Sequence, residues 1–308
     1  MLWLSMANHV EIVEVAPRDG LQADPADLST DQKVALIKRL ISAGHTRIEA
    51  ASFVSPTAVP KMADADALMA AVPRSSGVTY SALVLNRIGV ERAIASGVDE
   101  ITGVVVASET FSQQNQNSTI EESIDRWRSI SDAASKAGLR RTVTIASAFG
   151  CPFEGRVDQS VVRDIALRLA ETGPAEITLA DTIGVAVPNQ VADLFGILGD
   201  CVGDDSVPRG HFHNTRNTAM ANIVAAVGVG VRVFDASLGG VGGCPFAPKA
   251  TGNVATEDVV YMLHAMEIQT GLDLNALIAA TEWLESLLGH TTPGMVAKAG
   301  GFPSPPTY

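Results

Sequence analysis

A (β/α)8 barrel with a short C-terminal helical extension is the fold class that this 308-residue α/β sequence predicts. Three observations carry it. Strand-like and helix-like runs alternate eight times along the chain. The strand-like runs are mostly apolar rather than alternating, as expected of strands covered on both faces. A doubly wound open sheet would carry a glycine-rich phosphate turn after its first strand, and that position reads APRDGLQ at 16–22.

Taken in order, the first strand is expected over 11–19 and the first helix over 29–42. Ser29 and Gln32 can form a capping box there, Val34, Ile37 and Ile41 make the buried stripe, and Gly44 stops it. The second strand covers 47–53, followed by a loop through Pro56 and Pro60 and a helix near 64–71. The third strand is 78–84 with a helix at 87–96, and the fourth is 100–107. A polar loop over 108–119 then leads into a helix at 119–137 that Gly138 closes. The fifth strand is 142–149 with a helix at 158–172, and the sixth is 175–182 with a helix opening at Pro188. The seventh strand is 208–214 with a helix at 217–228. The eighth is 231–240, followed by a glycine-rich loop to Asn253 and a helix near 256–269. Residues 1–270 thus form the barrel, and 271–308 add helices and a Gly/Pro-rich tail to the same domain.

With 46% hydrophobic residues the chain can bury a large core. Lys and Arg number 22 against 34 Asp and Glu, a net charge of −12, which excludes nucleic acid and anionic membrane surfaces as partners. The three cysteines, Cys151, Cys201 and Cys244, lack metal-type spacing and cannot all pair, the usage of a reducing cytoplasm. Residues 1–10 have no Lys or Arg ahead of their few apolar positions, so they read as neither signal peptide nor anchor. A soluble cytoplasmic protein is expected.

In such a barrel the chemistry lies at the carboxyl ends of the strands, and the polar residues there can be collected. His211 and His213 share one face of the seventh strand, their Cα atoms roughly 7 Å apart, close enough to converge on one ion. A pair of histidines alone is a weak motif. Asp19 is either a turn aspartate or a metal ligand, and Glu49, inside an apolar strand, requires a partner such as Arg18. Asp181 has the same two readings as Glu49, an ion pair or a site acid. Gln22, Ser52, Asn115 and Thr182 also fall on this rim. Asn253 either helps cap the following helix, where Thr256 is an equal candidate, or joins the site. Cys244 is by default a small hydrophobe, and its place in GGVGGCPF suggests a lid bearing a thiol. Two imidazoles and a carboxylate also describe the facial triad of non-haem iron oxygenases, and Mn2+, Co2+ or Zn2+ would suit the set, so the donors leave the metal open.

Several stretches together resemble the 3-hydroxy-3-methylglutaryl-CoA lyase family: EVAPRDGLQ at 14–22, IEAASFVSP at 48–56, LADTIGVAVP at 179–188, HFHN at 211–214 and SLGGVGGCPFAPKATGN at 237–253. The likeness covers nearly the whole chain. It implies a metal-dependent barrel that cleaves 3-hydroxy-3-methylglutaryl-CoA to acetyl-CoA and acetoacetate with Mg2+ or Mn2+. By the same resemblance Asp19, His211, His213 and Asn253 are metal ligands, Arg18 is the catalytic arginine and Cys244 the catalytic-loop cysteine. Glu49 and Asp181 are supporting acids, and Ser52, Asn115 and Thr182 match substrate-contact positions, with Gln22 beside them in the same motif. The enolate carbon is protonated by His211 or Cys244. An acyl-CoA substrate and a homo-oligomer are expected. Asn214, Arg216 and Asn217 stand where the family usually has an aspartate, an aromatic and a glycine, and Ala50 and Ala51 replace threonines, which opens the acyl group to question. A related lyase for another 3-hydroxyacyl-CoA and a condensing synthase are the alternatives.

Overall fold

This computed structural model describes residues 8–74, 77–203, 206–243 and 251–303. The eight strands are β1 (Glu11–Glu14), β2 (Arg47–Ser52), β3 (Thr79–Leu83), β4 (Glu100–Val106), β5 (Arg140–Ala146), β6 (Glu176–Asp181), β7 (Val207–Phe212) and β8 (Val233–Ala236). They pair in parallel in chain order, and β8 closes on β1 through Glu11↔Val233 to Glu14↔Ala236. The barrel is closed, as the alternating pattern predicts.

Local signals set the helices. Helix α1 (Thr30–Ser42) starts at the expected capping box, with Gln32 N donating to Ser29 Oγ and Ser29 N donating to Gln32 Oε1 at 2.8 Å. The long helix from Ile120 to Lys136 has the same device at Thr119 and Glu122, so its entry is equally well defined. Its Trp127 packs flat onto β4, where Gly103 is required: a Cβ there would meet the indole at 2.4 Å. The C-terminal helix, Leu274–Leu288, packs on α1, with Arg39 lying 4.3 Å over the Trp283 ring.

Three expectations fail, each for a physical reason. The first strand stops at Glu14, because Glu14 Oε1 accepts from Ala16 N and Pro17 has no N–H to continue the ladder. The chain then makes one wide π-type turn, Ala16–Gly20, whose amides converge on Val15 O. The polar stretch at 108–119 contains a helix, Glu109–Gln116, capped by Ser108 accepting from Phe111 N. The eighth strand ends at Ala236, and Leu238–Gly240 form a tight 3-10 turn in which Gly239 and Gly240 have φ of 68° and 74°. Residues 1–7, Cys244 and the end of the C-terminal tail lie outside the described residues.

Among the buried groups that make stability pH-dependent is His45. His45 is 2% exposed, its Nε2 stays 3.5 Å from Glu14 Oε2, and burial holds the imidazole down at about 4. The unfolded chain accepts a proton that the folded chain refuses, so this stability is complete above the ordinary histidine range and is lost as pH falls toward 4. Urea unfolding should show His45 contributing about 2 kcal/mol of the stability lost between about pH 7.5 and about pH 5. In His45→Gln that acid-dependent loss should shrink by a similar amount, and an identical loss in the variant would refute the assignment.

Candidate metal and acyl-CoA site

The turn after β1 decides the site. In a continued strand Arg18 and Asp19 would point to opposite faces, whereas in a helical turn both reach the barrel mouth. Arg18 Nε donates to Glu49 Oε2 at 2.7 Å and Nη1 to Asp19 Oδ1 at 2.6 Å, so the guanidinium is clamped between a carboxylate within β2 and one in the turn after β1. The partner expected for Glu49 is therefore present.

Opposite it, His211 and His213 project inward with ring centroids 5.2 Å apart. Phe212 between them points away into a cluster with Phe149, Phe195 and Phe234, which holds the parity of the strand. Ligand atoms of Asp19, His211 and His213 all lie within 4.8 Å of one another. Asn253 forms an isolated antiparallel bridge with His213, just past the end of β7, and its Nδ2 donates to Asp19 Oδ2 at 2.8 Å. Neither it nor Thr256 caps the following helix; Thr256 donates its hydroxyl to Glu14 Oε2.

These residues fit a divalent cation. Asn253 Oδ1 and His213 Nδ1 are buried with no hydrogen-bond partner, two lone pairs left beside an ionised carboxylate. Burial, with His211 adding to it, holds His213 at about 4, so it is neutral and able to ligate. Burial alone would raise Asp19, but Arg18 and the two imidazoles outweigh it and hold the carboxyl at about 2. Burial lowers His211, yet its hydrogen bond to Asp235 and that residue's charge leave it raised. Burial raises Glu49 against the pull of Arg18.

A cavity of about 390 Å3 opens at this point. Arg18, Asp19, Gln22, Glu49, Asn115, Thr182, His211 and His213 all border it. Asn115 does so from the helix at Glu109–Gln116. Three expected site residues stand apart from its lining: Asn253, which reaches the site through Asp19, and Ser52 and Asp181. Ser52 is buried, its hydroxyl unpartnered, and Asp181 forms no ion pair among the described residues. Its carboxylate instead accepts from Val185 N and Ala186 N at 2.9 and 3.0 Å, tying down the loop after β6. Burial raises this carboxyl against those two amides.

Sequence reasoning missed Arg209 and Asp235, which line the cavity floor. The signal was available: Arg209 shares the strand parity of His211 and His213, and Asp235 is the one charge inside VFDA. It also missed the brace of the glycine turn. Leu238 N donates to Glu14 Oε1 and Gly239 N to Glu257 Oε2, both at 2.9 Å. A Cβ on Gly239 would meet Thr292 at 2.8 Å, so close packing as well as positive φ requires glycine there.

Comparison with known proteins agrees with this geometry. The HMGL-like family model matches residues 9–284. The (R)-citramalyl-CoA lyase of Chloroflexus aurantiacus is 45% identical over 301 residues, covering 94% of this chain and 95% of that one. The hydroxymethylglutaryl-CoA lyase of Pseudomonas mevalonii is 43% identical over 280 residues, covering 91% and 93%. Among solved structures, an HMG-CoA lyase from Acinetobacter baumannii in complex with coenzyme A and 3-methylmalate superposes with a TM-score of 0.92 at 39% identity, covering 98% and 99%. With its barrel, its Asp-His-His cradle and these matches, the chain belongs to the HMGL-like family and is a carbon–carbon lyase of the hydroxymethylglutaryl-CoA lyase type.

Proposed function

We propose that the chain cleaves the C2–C3 bond of a 3-hydroxy-3-methylacyl-CoA thioester, with 3-hydroxy-3-methylglutaryl-CoA, giving acetyl-CoA and acetoacetate, as the preferred substrate. The observation that carries the reading is the pairing of a cation cradle with a clamped guanidinium across one cavity. Cleavage removes the C3 hydroxyl proton, turns C3 into a ketone, and sends the bonding electrons into the thioester as an enolate. A divalent cation, Mg2+ or Mn2+, would supply Lewis acidity toward the C3 hydroxyl and help orient the substrate.

The protein's own groups do the rest. Arg18, held by Glu49 and Asp19, places fixed positive charge where the enolate grows and has no reorganisation left to undergo. Asp19, His211, His213 and Asn253 would hold the cation. Gln22, Asn115, Gln116 and Thr182 line the cavity and can donate hydrogen bonds to the acyl carboxylate. Return of a proton to the enolate carbon would fall to Cys244, outside the described residues, or to a His211 released from the cation, since a ligating His211 keeps its one proton on the nitrogen facing Asp235.

A second acyl group is favoured by a specific observation, the 45% identity to an (R)-citramalyl-CoA lyase. That thioester has one methylene fewer between C3 and its carboxylate and would release a 2-oxoacid. The same catalytic groups serve both, and only the distance from the cation to the carboxylate contacts differs.

Steady-state release of acetyl-CoA should be seen from at least one of these two thioesters, be lost in EDTA and return with added Mg2+ or Mn2+. Absence of cleavage, or cleavage indifferent to chelator, would contradict the reading; acetyl-CoA consumed only in the presence of a 2-oxoacid would point to a condensing synthase. Arg18→Gln should lower kcat by roughly a hundredfold or more while Mn2+ affinity changes little. Turnover near wild type would remove Arg18 from the chemistry.

A further inference from the structure

Beneath the cation cradle the barrel interior is filled by charge rather than by aliphatic layers. His211 Nδ1 lies 2.9 Å from Asp235 Oδ2. The other oxygen, Oδ1, accepts from Arg209 Nε at 2.6 Å and also contacts its Nη2. Arg209 Nη1 reaches Glu176 Oε2 at 3.3 Å. Arg47 joins Glu176 to Glu100 through four hydrogen bonds of 2.7–3.0 Å. At the opposite, solvent-facing end Arg140 caps both glutamates, at 2.7 and 3.2 Å. Between His211 and Arg140 every member is at most 8% exposed.

Such a ladder is a poor device for stability, since well-packed aliphatic residues of similar volume commonly do as well or better. Its geometry has a different consequence. An aspartate carboxylate only accepts hydrogen bonds, so the nitrogen of His211 facing Asp235 must be the donor. Arg209 occupies Oδ1 and leaves Oδ2 for the imidazole. Arg209 is in turn held by Glu176, which Arg47 and Arg140 hold.

We propose that Asp235, clamped by Arg209, is a positioning residue that fixes His211 in the tautomer protonated at Nδ1, so that Nε2 is the nitrogen presented to a divalent cation. The inference rests on the cation reading above. Carboxylate partners of this kind orient a ligating imidazole, raise its basicity and typically contribute 10–100-fold in metal affinity. The ladder of ion pairs itself runs from the cradle to the far rim of the barrel.

Two measurements test it. Long-range 1H–15N correlation spectra of metal-free wild-type protein at about pH 9, where imidazoles are neutral, should show His211 protonated at Nδ1 and bare at Nε2. The opposite tautomer would overturn the proposal whether or not any metal binds. By Mn2+ electron paramagnetic resonance, Asp235→Asn, whose amide can present either a donor or an acceptor, should weaken Mn2+ binding by about 10–100-fold. A folded variant, judged by circular dichroism, with affinity within about twofold of wild type would also overturn it; if the variant does not fold, the wild-type spectrum decides. Wild-type protein that shows the expected tautomer but binds no Mn2+ would sink the cation reading and leave the tautomer assignment standing.

Discussion

The structure depends on one carboxylate that serves two masters. Asp19 gives Oδ1 to Arg18 and Oδ2 to Asn253, and two imidazoles stand within ligand distance of it. The Arg18 guanidinium and the donors of the cradle therefore share a single anchor, Asp19. A retro-aldol-type cleavage needs positive charge at both ends of the breaking bond, and on the proposed reading Arg18 and a cation held in the cradle would be those two points.

That arrangement requires local irregularity at the carboxyl rim. Glu14 ends its strand early by accepting from Ala16 N, and the same residue takes Leu238 N and the Thr256 hydroxyl. One buried acid thus joins the turn carrying Arg18 and Asp19 to the turn from which the glycine-rich loop departs. Burial pushes Glu14 up to about 7 and Glu257 up to about 8, consistent with acids held for geometry more than for charge. The rigid barrel wall carries the histidines, and this brace brings the opposite half of the cradle to meet them.

Much of this was legible in the chain itself. The eight alternations pointed to the barrel, Ser29 and Gly138 marked a helix start and a helix end, and the parity of His211 and His213 placed both on one face. Strand ends were harder, because the chain leaves β1 through side-chain capture by Glu14 rather than through a turn residue. The helix at Glu109–Gln116 was hidden by its polar composition, although Ser108 and the buried Phe111 were the signals to weigh. For Asp181 the strand pattern indicated a place on the rim but not its partners, the amides of Val185 and Ala186 in the loop after β6. Arg209 and Asp235 were recoverable from strand parity, but their pairing depends on the neighbouring register of β7 and β8, which no single segment encodes.

The central claim is that one divalent cation is gripped by a carboxylate from the first strand end and two imidazoles from the seventh. The most direct measurement is electron spin-echo envelope modulation of Mn2+ bound to the protein, which reads ligating nitrogens. The account predicts modulation from two imidazole nitrogens in the wild type and from one in each of His211→Ala and His213→Ala. Bound Mn2+ with no nitrogen modulation, or with modulation unchanged in both variants, would contradict it.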